Sequence, residues 1–299
     1  MKKHKRIAMV ILLVLACTGC STASSERSSE ISDNAVKPQN TEEVVTGEDT
    51  GEMDTKDYVV DGSKVYRDFV VDSVLYSESE GEIHYCVYIP ESYDKSKPYA
   101  LFVTLPGYEG LYFQGVAVNI KAEEFAFEAQ NYNEQMIIVA PQLDDWGATS
   151  ANQTIILTDY FLNHYNIDPD KVYINGYSGG GETLSLVLDK RPELYTAALM
   201  CSSQWDGGYD ALVKARTPVY FVIGESDEYY GSKPFQETYQ EIYKMYQEQG
   251  LTEQKIDQLL VLNIKDAGYF NAGGIRNQHG GGAALFCKDS DIMGWLFQK

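Results

Sequence analysis

Three side chains far apart in this sequence have the types and the order needed to make an alcohol into a nucleophile. Ser178 lies in Gly176-Tyr177-Ser178-Gly179-Gly180, Asp227 in Gly224-Glu225-Ser226-Asp227-Glu228, and His279 in Gln278-His279-Gly280. A serine hydroxyl attacks a carbonyl only when a base takes its proton, and that base must be oriented by a third group. Asp227 is the first choice for the orienting acid, with Glu225 and Glu228 as fallbacks. Asp266 is less suitable because it follows the strand that must deliver the histidine. Of the four histidines, His4 belongs to an N-terminal leader, His84 sits inside an early strand, and His164 falls on the inner stripe of a helix. That leaves His279, in a flexible Gly-rich loop before the closing helix.

Acyl transfer also needs two N–H donors for the oxyanion. One is expected from Gly179, directly after the nucleophile, and the other from Tyr108, after Pro106-Gly107. Trp146 and Trp205 follow strand ends on the nucleophile's side, so they are candidates to stack on a sugar or an aromatic acyl group. Packing as half-buried aromatics is an equal rival account for either one. No spacing suggests a metal site, and no cofactor is expected.

The elements that must position these groups can be read from patterning. The run Val172–Asn175 has strand character and breaks at Gly176, and Glu182–Leu188 then reads as helix. Strand, tight turn and helix together are the setting in which Gly-x-Ser-x-Gly exposes a strained serine at the carboxyl end of a sheet. Further strands are expected at 68–76, 82–90, 99–105, 135–140, 195–201, 218–224 and 259–264. Helices are expected at 120–129, 152–165 and 235–250, with a closing helix around Trp295. Alternation of this kind implies a mainly parallel sheet of about eight strands with helices on both faces and an antiparallel hairpin at one edge. About sixteen residues separate Cys201 from Pro218, too few for a large lid, so an open cleft is expected.

Taken together, Leu105-Pro106-Gly107-Tyr108, Gly176-Tyr177-Ser178-Gly179-Gly180, Gly224-Glu225-Ser226-Asp227 and His279 resemble the α/β-hydrolase superfamily. The likeness spans roughly residues 60–299. Within that superfamily the chain is similar to secreted feruloyl- and acetylxylan-esterase-like enzymes and to the catalytic domain of prolyl-oligopeptidase-like hydrolases. The resemblance implies the α/β-hydrolase fold, acyl-enzyme chemistry on Ser178 and no cofactor. One departure is that the usual His-Gly of the oxyanion loop is Pro106-Gly107 here.

The N-terminus reads differently from the rest. Lys2, Lys3, Lys5 and Arg6 precede an apolar run from Ile7 to Ala16, the pattern of an export leader and too short for a membrane anchor. Cys17 or Cys20 is the expected lipidation point, with Cys17 slightly preferred, so residues 1–20 form a leader with its lipidation box. Residues 21–56 read as an acidic, Ser/Thr-rich solvated tether, and 57–299 as the catalytic domain. Losing the leader's four cations takes the formal charge from −20 to −24, which opposes nucleic acid and anionic lipid as surface partners. The membrane is thus expected to be met only through the lipid, at the outer face of a bacterial cell. Cys86, Cys201 and Cys287 lie in apolar stretches and are expected to be buried thiols. These features point to an exported serine esterase acting on carbohydrate-linked or aromatic esters. A prolyl-oligopeptidase-like peptidase and a non-catalytic surface binding protein are the alternatives.

Overall fold

The structure, a computed structural model, describes residues 57–299. The expected leader, the lipidation candidates Cys17 and Cys20, and the tether lie outside the described residues. The strands are β1 (Tyr58–Val60), β2 (Lys64–Tyr66), β3 (Phe69–Ser77), β4 (Gly81–Tyr88), β5 (Tyr99–Leu105), β6 (Met136–Pro141), β7 (Ile167–Tyr177), β8 (Ala197–Cys201), β9 (Val219–Gly224) and β10 (Leu260–Lys265). The helices are α1 (Val118–Ala122), α2 (Phe125–Glu128), α3 (Ala148–His164), α4 (Gly179–Lys190), α5 (Asp210–Ala215), α6 (Lys233–Glu248), α7 (Glu253–Leu259), α8 (Ala267–Ala272), α9 (Gln278–Phe286) and α10 (Ser290–Phe297). All ten strands form one sheet in the order β1-β3-β4-β6-β5-β7-β8-β9-β10, with β2 added on β3.

The β3–β4 hairpin joins β6 antiparallel, and the strands from β6 to β10 run parallel. Strand β5 shows why the sheet must be covered twice. Leu101, Val103 and Leu105 enter one apolar cluster and Ala100 and Phe102 the other, as a two-residue period dictates. Helices α3 to α7 fill the first cluster through residues such as Phe161, Leu184, Leu212, Ile242 and Ile256. Helices α1, α2 and α8 to α10 fill the second through Ile120, Phe125, Phe270, Phe286 and Leu296. This is the α/β-hydrolase fold, with its strands' carboxyl ends, and hence the loops after β5, β7 and β9, opening on one side.

Several expectations need correction. The sheet has ten strands because two three-residue strands, β1 and β2, pair with β3 at the edge; each is too short to display a strand's alternation. The helix expected over 120–129 divides into α1 and α2, since Glu123 between them is extended (φ −132°, ψ 139°). Strand β7 begins at Ile167, ahead of the expected run from Val172, and its register to β5 slips between the pairs Tyr99↔Ile167 and Leu101↔Val172. His164 is exposed rather than inward, stacked on Tyr160 with ring centroids 4.0 Å apart. The Gly-rich segment around His279 is helix α9, not a loop. Asn277 caps it by accepting the Gly280 N–H, and Phe286 anchors its far end in the core. Residues 202–217 hold only the short α5. Cys86, Cys201 and Cys287 are buried free thiols. Among the described residues no helix is long and apolar enough to cross a membrane.

Candidate active site

Strand β7 ends at Tyr177 and α4 starts at Gly179, so Ser178 alone makes the turn, with φ 53° and ψ −123°. A left-handed φ costs a residue with a Cβ on the order of 1–3 kcal/mol, so its surroundings must hold it there. They do so through the main chain. The Ser178 N–H donates to Cys201 O at 3.0 Å, and the Ser203 hydroxyl donates to Ser178 O at 2.6 Å. The glycines around it are set by contact. A Cβ on Gly176 would lie 2.4 Å from Gly180 O, and one on Gly180 would lie 2.4 Å from Pro106 O. Strand, elbow and the loop after β5 are pressed together too closely for any side chain at those two positions.

Ser178 Oγ lies 3.0 Å from Nε2 of His279. On the other edge of the imidazole, Nδ1 lies 2.9 Å from Oδ2 and 3.1 Å from Oδ1 of Asp227. The Asp227 side chain is fully buried and the His279 side chain is 18% exposed. Burial pushes the Asp227 pKa up, but the hydrogen bond to His279 and the N–H groups of Tyr230 and Tyr229 outweigh it and hold the carboxyl below its ordinary value. A buried carboxylate kept ionised in this way fixes the orientation of the imidazole it faces.

The fallback acids have other tasks. Glu228 Oε2 accepts the backbone N–H of His279 at 2.9 Å, and Glu225 Oε1 accepts that of Ala267 at 2.9 Å. Asp266 caps α8 by accepting from Tyr269 N. Three tyrosine rings, those of Tyr177, Tyr229 and Tyr230, lie within 6.0 Å of the imidazole centroid. The Tyr177 hydroxyl donates to His279 O, tying the start of α9 to the end of β7.

The triad opens on a cleft of about 260 Å³. Of the residues singled out in the sequence, Tyr108 and Trp146 line it and Trp205 does not. Its indole is buried against Phe221 and Tyr209, with ring centroids 6.2 Å and 5.6 Å away. The turn after β8 folds back onto the sheet face, so a residue at a strand end is carried into the core. Two cleft residues gave no sequence signal. Glu182, on the first turn of α4, accepts the Tyr230 hydroxyl at 3.0 Å, and Glu109 follows Tyr108. Burial raises the Glu182 pKa, Asp206 adds to the rise, and the Tyr230 hydroxyl works against it. Among the described residues, no lysine or arginine lines the cleft.

Fold and triad define a serine hydrolase of α/β-hydrolase architecture. The prolyl oligopeptidase family profile matches residues 143–266, a span that includes Ser178 and Asp227 and ends before His279. A comparison with curated proteins returns no match. Among solved structures the chain is similar to a thermostable esterase, with 18% identity and a TM-score of 0.59 over 77% of this chain and 62% of that one. It is also similar to a prolyl endopeptidase, with 12% identity and a TM-score of 0.52 over 81% of this chain and 38% of that one. The chain thus spans less than two thirds of the length of either protein, and at such identities the likeness is one of fold.

Proposed function

We propose that this chain is an exported serine carboxylesterase acting on carbohydrate-linked or aromatic esters through an acyl-enzyme. The observation that carries the acyl-transfer chemistry is the continuous hydrogen-bonded line Ser178–His279–Asp227. Ser178 Oγ attacks the ester carbonyl while its proton passes to His279 Nε2. The tetrahedral intermediate then collapses, and the alcohol leaves with that proton. Water repeats the sequence on the acyl-enzyme, giving the carboxylic acid and free Ser178.

The oxyanion is assigned to the N–H groups of Gly179 and Tyr108. Gly179 opens α4, where an N–H has no acceptor within the helix, and Tyr108 follows Gly107, which packs beside Ser178. Each such donor is worth on the order of 3 kcal/mol of barrier.

Aromatic walls at Tyr108, Trp146, Tyr229 and Tyr230 suit a planar acyl group or the apolar face of a sugar. Glu109 and Glu182, with no lysine or arginine in the lining among the described residues, disfavour acidic esters and offer acceptors to hydroxyl groups. Export and lipid attachment at Cys17 or Cys20 belong to the same proposal and rest on the leader pattern. The profile match over residues 143–266 favours a second reading, a peptidase of the prolyl oligopeptidase type. Rates on feruloyl and acetyl esters, compared with rates on proline-containing peptides, test the choice. Hydrolysis of peptides with the esters untouched overturns the esterase reading.

A further inference from the structure

Behind the loop that follows β5 lies a carboxyl group with no task in the chemistry above. Glu123 is enclosed between α1 and α2. Its Oε1 accepts the Gly107 N–H at 2.5 Å, while Oε2 is buried without a hydrogen-bond partner among the described residues. A methyl group on Gly107 would come within 2.8 Å of Glu123 Oε1, 3.2 Å of Tyr177 Cδ1 and 3.6 Å of Ser178 Cβ. Carboxyl, glycine and nucleophile therefore meet within a few ångströms of one point.

An ionised carboxylate there would repel the oxyanion that forms on the substrate. At an effective dielectric near 20, a charge roughly 7 Å away opposes the transition state by a factor on the order of ten- to fifty-fold. A neutral carboxylic acid carries no such penalty and still accepts the Gly107 N–H.

We infer that Glu123 is a positioning residue that works as the uncharged acid, anchoring Gly107 so that the Tyr108 N–H faces the oxyanion, and that its ionisation turns the site down. The inference rests on the acyl-transfer reading of Ser178.

The surroundings agree with it. Burial raises the Glu123 pKa to about 8, although the Gly107 N–H pulls the other way. Among the described residues the titratable groups that face it are Glu109 from the loop after β5, Tyr177 from β7 and Cys201 from β8. None is a cation, and burial keeps the tyrosine and the thiol neutral far above neutral pH. A water-sized cavity bounded by Thr104, Asn119 and Glu123 adjoins the carboxyl, on the scale that a single hydrogen-bonded water fills.

The test is the rate of Ser178 labelling by a fluorophosphonate between pH 6 and 10, run beside p-nitrophenyl acetate hydrolysis. In the wild type both rates are expected to fall at least tenfold as pH rises through about 8. Glu123→Gln keeps an acceptor for Gly107 and cannot ionise, so its profile should stay level to pH 10. Glu123→Ala should lose at least tenfold in kcat at pH 7 with KM unchanged. An alkaline fall in Glu123→Gln that matches the wild type overturns the inference, as does wild-type kcat in a folded Glu123→Ala. Should Glu123→Ala not fold, the Glu123→Gln profile decides alone. A wild type that labels but cleaves no ester sinks the esterase reading while the labelling profile still judges Glu123.

Discussion

Glu228 accepts the backbone N–H of His279 at 2.9 Å, next to the residue that holds the same histidine's ring. Two consecutive acids thus grip one residue from different sides, Asp227 by the imidazole and Glu228 by the main chain. Burial pushes the Glu228 pKa up, but the N–H groups of His279 and Gln278 prevail and hold it below the usual value. The two acids therefore should not be interchangeable. Asp227→Asn is expected to lower kcat by about 10³- to 10⁴-fold, and Glu228→Gln by less than about tenfold. Steady-state kinetics on one activated ester separates them; equal losses would show that the main-chain grip of Glu228 matters as much as the ring contact of Asp227.

Ser178 holds a left-handed φ of 53° that a glycine would adopt freely. Ser178→Ala keeps the strain and Ser178→Gly relieves it, so the inactive glycine variant should be the more stable of the two by roughly 1 kcal/mol. Denaturant titration of the two variants measures this, and a glycine variant less stable than the alanine one would count against strain at the elbow.

Trp146 covers Gly179 closely enough that a Cβ there would lie 2.5 Å from the indole Cδ2. Gly179→Ala should therefore displace the ring or the first turn of α4 and cost on the order of 10²-fold in kcat. Adding Trp146→Ala should return part of that loss. If the double variant is no faster than Gly179→Ala alone, the contact is not what limits the site.

The two tryptophans should behave in opposite ways. Trp146→Ala is expected to raise KM for aromatic esters with little change in melting temperature. Trp205→Ala empties a core position and should cost about 3–5 kcal/mol of stability without changing KM. Thermal melts and kinetics on the same samples decide whether either residue has been misassigned.

The raised Glu123 pKa also has a consequence for stability. Between its ordinary value of 4.5 and about 8, the folded protein keeps a proton on this group that the unfolded chain has lost. Stability attributable to the group therefore falls as pH rises through that window and levels off above it. The melting temperature of Glu123→Gln relative to wild type should climb from pH 5 to pH 8. A constant difference across that range would mean that Glu123 is ionised in the fold.

What was legible in the sequence follows from the range of each signal. Continuous apolar runs such as Tyr99–Leu105 and the Gly-x-Ser-x-Gly turn are local, and both lie where patterning puts them. The acid and the base were legible because strand order fixes where they must follow, and because so few histidines compete. Three things were hidden for a common reason. Helix α9 carries Gly280-Gly281-Gly282 directly after His279, which reads as loop, and Phe286 in the core and the Asn277 cap hold it helical. Trp205 and Glu123 look like surface or rim residues until the chain's path is known, and then both prove buried. Burial of this kind depends on contacts between distant segments, which no window of neighbours records.

That the proton acceptor rides on the first turn of a capped helix bears on how the enzyme meets heat. A base on a floppy segment would unhook before the domain melts, and turnover would fade ahead of unfolding. Here α9 is stitched to β7 through Tyr177 and to the loop after β9 through Glu228, so its release coincides with loss of the sheet itself. Activity should then persist nearly undiminished up to the melting transition and vanish with it.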